Sequence, residues 1–294
     1  MKTTLILTFL LATGAAAAAA QDTRLDTAKI EALTGLKGQL NEKEGVFKVS
    51  FPRDDIKASV GDVKMTPAMG LTAWAAFTRT GDHAMVMGDI VLLQDQVNPV
   101  MSAALDNGLE VTALHNHFLW ESPRVMFMHV GGMGDEEKLA RGIGAVFAKL
   151  KETIGAKAGA PKADIDPART TLDPAKIDGV LGHRGELGKG VYKVTIGFKT
   201  KMDGHEIGSA MGVNTWAAFA GSDEQAVVDG DFAMTEGQLQ GVLKALRHAG
   251  IDVVAIHNHM TGETPRIEFL HYWGVGKTTE LAAALKAALD TQKD

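Results

Sequence analysis

The sequence predicts an α+β protein made of two homologous tandem domains, each a mostly antiparallel sheet backed by helices. Three observations carry that prediction. The first is a long internal repeat. His115-Asn-His117, Glu121-x-Pro-Arg124, Phe127, His129, Gly132 and Gly134 return as His257-Asn-His259, Glu263-x-Pro-Arg266, Phe269, His271, Gly274 and Gly276. Met69-Gly, Trp74-Ala-Ala-Phe77 and Gly88-Asp89 return as Met211-Gly, Trp216-Ala-Ala-Phe219 and Gly230-Asp231, at a constant offset of 142. A unit this long exceeds a solenoid repeat. It reads as two homologous domains or as a pseudo-twofold pair of half-domains. The second observation is a set of short, β-rich runs separated by turn signals, and the third is helical spacing after each strand pair. The resulting order, strand–strand–helix–strand–strand–helix, occurs twice and suits helices laid on an antiparallel sheet.

Taken in order, residues 29–36 read as a short helix. Residues 46–51 alternate and are rich in β-formers, which predicts a strand. Residues 73–78 and 84–92 predict two strands broken by the turn signal Thr80-Gly81-Asp82. Residues 97–107 place apolar side chains at helical spacing and stop at Gly108, a C-terminal cap. Residues 109–118 and 124–130 predict strands joined by a turn at Glu121-Ser122-Pro123, and residues 135–152 an amphipathic helix. The first repeat domain spans residues 25–151 and the second 175–291. Between them, residues 152–174 hold Gly, Ala, Pro161 and Pro167 with few large apolar residues, the composition of a linker.

The first twenty residues are of another kind. Lys2, the apolar run Leu5 to Leu11 and the small-residue tract Ala15 to Ala20 lay out a secretory signal peptide over 1–20, cleaved near Ala20. The apolar run is shorter than the ~20 residues of a membrane span. No cysteine follows it for lipid attachment, so no stable membrane anchor is expected. The mature chain is expected to be soluble and periplasmic or secreted.

Composition narrows the function. The 294 residues include 30 Lys or Arg against 36 Asp or Glu, a net charge of −6, with 45% hydrophobic residues. That balance is globular and argues against a nucleic-acid backbone as partner. The absence of cysteine excludes disulfides, thiolate ligands, iron–sulfur clusters and a cysteine nucleophile. The core must therefore hold alone in an oxidising compartment. There is no G-x-S-x-G and no P-loop. Gly182-x-x-Gly185-x-x-Gly188 lacks the strand-to-helix setting of a nucleotide fingerprint.

The histidines are the remaining chemistry. His115 and His117 are two apart on a predicted strand, so they project to one face, and the return strand brings His129 alongside. His257, His259 and His271 repeat the set. Three converging imidazoles are the protein part of an open metal site. A divalent transition metal is the expected cofactor, with zinc and a water in the fourth position the simplest occupant; copper, iron, nickel and manganese share the ligand type. His83, His183, His205 and His248 have no histidine counterpart in the other repeat. A difficulty lies in register. A simple four-residue turn pairs His115 with Met126 and sends His129 to the opposite face, whereas a bulge or a different loop register restores convergence. The bland alternative is a fold-defining hairpin whose histidines bond backbone groups.

Glu121 and Glu263 lie at the hairpin tips, suited to acid/base catalysis beside a metal-bound water, to a fourth ligand, or to a solvated turn. Arg124 and Arg266 suit a small anionic ligand, or an ion pair with those glutamates. Asn116 and Asn258 face away and suit structural hydrogen bonding. Met126 and Met128 become Glu268 and Leu270 in the second repeat, so the methionines near His129, Met133 included, read as core filling. Trp74 and Trp216 are expected to pack the core.

The segments Leu36-Lys-Gly-Gln, Phe51-Pro-Arg-Asp54, Pro67-Ala-Met-Gly-Leu71, Trp74-Ala-Ala-Phe77 and His115-Asn-His117…His129 carry a resemblance. They resemble the LppY/LpqO-type exported bacterial proteins, a family of unknown function, over about residues 25–290. This chain departs from the lipoprotein members in lacking the lipidated cysteine, so tethering does not carry over. At the level of the site alone, the spacing of His115, His117 and His129 is similar to that of the zinc-binding histidines of α-acetolactate decarboxylase, off by one residue. The expected function is a periplasmic or secreted protein with a His-x-His…His divalent-metal site in each repeat, in its sharpest form an enzyme acting on a small anionic substrate. The alternatives are a metal-free envelope binding module and a metal chaperone or storage protein. Whether the chain is an enzyme, and its oligomeric state, stay open.

Overall fold

The structure is a computed structural model that describes residues 24–156 and 159–293. The signal-peptide segment 1–20 lies outside the described residues. In the first repeat, α1 (Thr27–Thr34) is followed by β1 (Gly38–Asn41), β2 (Val46–Pro52), β3 (Thr72–Thr80), β4 (His83–Leu93), α2 (Gln94–Asp106), β5 (Glu110–His115), β6 (Val125–Gly134) and α3 (Glu136–Thr153). The second repeat follows suit with α4 (Pro174–Leu181), β7 (Glu186–Gly188), β8 (Val191–Gly197), β9 (Asn214–Gly221), β10 (Ala226–Thr235), α5 (Leu239–His248), β11 (Asp252–His257), β12 (Ile267–Gly276) and α6 (Thr278–Asp290). Local chemistry explains the ends. Asp26 and Asp135 accept the N–H groups of Lys29 and Lys138 at the starts of α1 and α3, and Gly35 closes α1 in the left-handed region, where a side chain is disfavoured.

All these strands form one antiparallel sheet of 12 strands, in the order β1-β2-β3-β4-β6-β5-β11-β12-β10-β9-β8-β7. The order is the same read from either end, with the two repeats exchanged. The repeats are therefore half-sheets joined edge to edge at β5 and β11, where Leu114 opposes Ile256. The helices pack in the row α1-α3-α2-α5-α6-α4. One apolar core runs through both repeats beneath them, from Ile30 and Phe147 through Leu114 and Ile256 to Leu285.

Strand parity assigns the faces. Gly132 of β6 abuts Leu139 of α3, so Val130 and Met128 face the helices and His129 faces away. In the second repeat, Val194, Ala217, Phe232 and Tyr272 gather with Leu181 of α4 and Leu285 of α6. Trp216 therefore alternates to the far face. This corrects the expectation for the tryptophans. Ala73, Ala75 and Phe77 take the buried positions of β3, whereas Trp74 and Trp216 are half-buried on the other face, under Lys48 and Lys193 at 4.0 and 4.1 Å from the ring centres.

The seam is closed by two reciprocal amide clamps. Gln240 of α5 reaches into the first repeat, accepting from the Val111 N–H at 3.0 Å and donating to the Val111 carbonyl at 2.9 Å. Asn98 of α2 does the same to Val253, at 2.8 and 3.3 Å. Asn98 and Gln240 are equivalent in the repeat. Each satisfies buried backbone groups at the strand edge that would otherwise lack partners. In the segment expected as a linker, the C-terminal part docks on the second repeat: the N–H groups of Thr171 and Leu172 both donate to the Gly221 carbonyl, and Leu172 is buried.

Candidate metal centre

β5 and β6 begin in the simple register, with Val111 opposite Val130, but a bulge between Val111 and Ala113 shifts the pairing by one residue. Beyond it Ala113 opposes His129 and His115 opposes Phe127. β11 and β12 carry the same bulge between Val253 and Ala255, which sets Ala255 opposite His271 and His257 opposite Phe269. Facing residues of an antiparallel pair share a side, so His115 and His129 stand together on the face away from the helices. So do His257 and His271. The bulge thus resolves the register difficulty. Strand β5 ends at His115 rather than continuing to residue 118, and His117 folds back so that its ring stacks on Phe127 at 3.4 Å between centres. His259 stacks on Phe269 in the same way, at 3.5 Å.

In the first repeat His115, His117 and His129 each offer a ligand atom, and these atoms all lie within 4.8 Å of one another. The Nε2 atoms of His115 and His129 are 3.1 Å apart. Two nitrogens on one tetrahedral zinc, at Zn–N of about 2.0–2.1 Å, stand about 3.3–3.4 Å apart, so little adjustment separates this arrangement from coordination. Nδ1 of His115 lies 3.4 Å from the Asn116 carbonyl. A proton held there leaves the Nε2 lone pair free to point inward.

In the second repeat the atoms that meet within the same limit belong to Asp231, His257 and His259. Nε2 of His259 is 3.4 Å from the Asp231 carboxylate, and its Nδ1 is 3.3 Å from the Gly212 carbonyl. His271 stacks on His257 at 4.7 Å, with its Nδ1 3.1 Å from the Gly230 carbonyl. His271 thus stands against the group without completing it. Asp231 sits there because it opposes His271 on β10, as Asp89 opposes His129 on β4. Both aspartates are buried. The signal for them was in the repeat, where Gly88-Asp89 recurs as Gly230-Asp231; what was missing was the strand pairing that puts them beside the histidines.

Electrostatics fit a neutral donor set. Burial first, then the neighbouring His271 and His259, push the His257 imidazole down to about 4. His117 is likewise lowered, mainly by burial. Burial raises Asp231 against the pull of His271 and His259. Among the described residues, Nδ1 of His257 and Oδ1 of Asp89 are buried without a hydrogen-bond partner.

The remaining candidates serve the hairpin loops. Glu263 is buried and accepts the Ile267 N–H at 3.1 Å, bracing the start of β12. Glu121 is buried where residues 121–122 pair with 59–60. Its carboxylate is 3.7 Å from Arg124. Neither glutamate belongs to the groups of converging ligand atoms. Arg124 is exposed and lines a cavity of about 690 Å³ with Gln94, Asn98 and Arg247. Arg266 is exposed and pairs with Glu268 at 3.0 Å rather than with Glu263. Asn258 donates to Glu268 and Asn116 to the Phe118 carbonyl, both as structural bonds. Met128 is buried on the helix side, away from the histidines, whereas Met133 is exposed.

Fold and site together define a class: a duplicated antiparallel α+β protein in which each half-sheet presents a histidine cluster that could hold a metal ion. The family model described as "Domain of Unknown Function (DUF1259)" matches residues 28–149 and again 175–291, and the chain belongs to that family. No curated protein matches the chain. Among solved structures it is similar to a trimeric bacterial microcompartment shell protein, PduB, at 11% identity over 86% of this chain and 89% of that one, with a TM-score of 0.20. A likeness that distant carries no argument.

Proposed function

We propose that this protein is an exported binder of divalent transition metal, with one site in each repeat and zinc as the first candidate. The ligands are His115, His117 and His129 in one site and His257, His259 and Asp231 in the other. His271 and Asp89 stand beside them to orient or complete the set. The observation that carries the reading is the convergence of ring nitrogens: Nε2 of His115 and of His129 meet at 3.1 Å with neither turned to a backbone partner. Arg124, which lines the cavity beside α2 and α5, and Arg266, which pairs with Glu268, are left outside the metal sites in this reading. The bound metal would supply Lewis acidity or an activated water. Export rests on the layout of residues 1–20 together with the resemblance to LppY/LpqO-type proteins; among the described residues no helix is long and apolar enough to cross a membrane.

The test is metal stoichiometry. Purified protein equilibrated with Zn²⁺ should retain two equivalents by elemental analysis, His115→Ala and His257→Ala one each, and the double variant none. Thermal stability should rise with added metal by mass action, by about 2.7 kcal/mol for each site at a hundredfold excess over its Kd. Wild-type protein that retains no Zn²⁺, Cu²⁺ or Mn²⁺ would sink the reading.

A further inference from the structure

We infer that the two clusters serve one ligand: a linear anion with an acid group at each end, laid across the seam between β5 and β11. The inference rests on the metal reading above, and its own support is strand register. Leu114 opposes Ile256 across the seam, and both are buried on the helix side. Their neighbours therefore oppose one another on the far face, His115 beside Ala255 and Ala113 beside His257. Ala113 in turn opposes His129, which opposes Asp89. Ala255 opposes His271, which opposes Asp231. The face thus holds two adjacent rows: Asp89, His129, Ala113, His257 and, running back, His115, Ala255, His271, Asp231.

This layout puts carboxylates at the outer ends, imidazoles inside them and two alanines at the centre. Ala113 and Ala255 are equivalent positions of the repeat, both half-exposed. In the strand register these two small side chains lie between His115 and His257, leaving a gap that a bulkier residue would fill. The cluster centres stand about two strand spacings apart, on the order of 10 Å. With a divalent ion in each cluster, the ions outweigh Asp89 and Asp231, and the excess positive charge lies toward the seam. An anion with one acid group meets one ion. A dianion of matching length meets both, and its second contact forms at high effective concentration.

Calorimetry of protein loaded with two equivalents of Zn²⁺ tests this, using succinate, glutarate, adipate and pimelate, with butyrate and hexanoate as single-ended controls. One dicarboxylate length should bind at one molecule per chain and about tenfold or more tighter than the controls. The advantage should fall to about twofold or less in three cases: His257→Ala, wild type carrying one zinc equivalent, and Ala255→Phe, which fills the gap but keeps both clusters. Equal binding of mono- and dicarboxylates, or two dicarboxylates per chain, would overturn the inference while leaving two-zinc loading intact. Failure to load zinc at all would instead remove the metal reading on which it stands.

Discussion

At the scale of single residues, the histidines are poised by what touches their second nitrogen and, at His257, by partial burial. His257 is held neutral, with its pKa pushed to about 4 by burial and by its histidine neighbours, against 6.5 in an unfolded chain. The sign follows from linkage. Between those two values the unfolded chain binds a proton that the folded one refuses, so stability rises with pH through that window and is fully present above it. Metal-free protein should therefore lose stability as pH falls from about 6.5 toward 4, read as a shift of the urea midpoint, and His257→Ala should flatten part of that slope. Identical slopes in the two proteins would refute the assignment. A neutral imidazole is also the form that binds metal, and folded His257 keeps that form down to about pH 4, so its protonation should release metal only below that value.

At the scale of elements, two devices hold the site: the bulges in β5 and β11, and the amide clamps beside them. The clamps act in trans, because Gln240 belongs to the repeat opposite Val111. Gln240→Leu leaves the N–H and carbonyl of buried Val111 without partners, a loss of about 2–6 kcal/mol at 1–3 kcal/mol per group. It should weaken metal at His115, His117 and His129 more than at the second cluster, and Asn98→Leu should do the reverse. Site-resolved NMR of the histidine rings during metal titration would show whether the effect crosses the seam. The Gly-Asp pairs form a second tight spot. A Cβ on Gly88 would meet the Trp74 carbonyl at 2.8 Å, whereas one on Gly230 would overlap the Tyr272 hydroxyl as well as the Trp216 carbonyl. Gly230→Ala should thus be the more destabilising of the two, by about 3 kcal/mol or more against 1–2 kcal/mol for Gly88→Ala. Equal denaturation midpoints for the two variants would contradict that reading of the packing.

At the scale of the molecule, the repeats share a sheet, a helix layer and a core. Separate domains would each bury their own apolar cluster and melt apart. Here Leu114, Ile256 and the helices α2 and α5 join the halves. Thermal unfolding should give one calorimetric transition whose van't Hoff and calorimetric enthalpies agree. Two resolved transitions would mean that the repeats are energetically independent despite the shared sheet.

The duplication, the strand-and-helix order and the six histidines were legible in the chain itself, because periodicity and recurrence are local properties read residue by residue. So was the pairing of Gly88-Asp89 with Gly230-Asp231, although not its meaning. Three matters were decided only in three dimensions. Which face His129 takes depends on one extra residue at Thr112, since a strand changes face with every residue. Whether Asp89 and Asp231 join the histidines depends on strands β4 and β10 pairing with β6 and β12, contacts set by packing rather than by neighbours in sequence. That the two clusters share one face depends on the join at Leu114 and Ile256, which buries the open edge of each half-sheet against the other and leaves the histidines on the side opposite the helices.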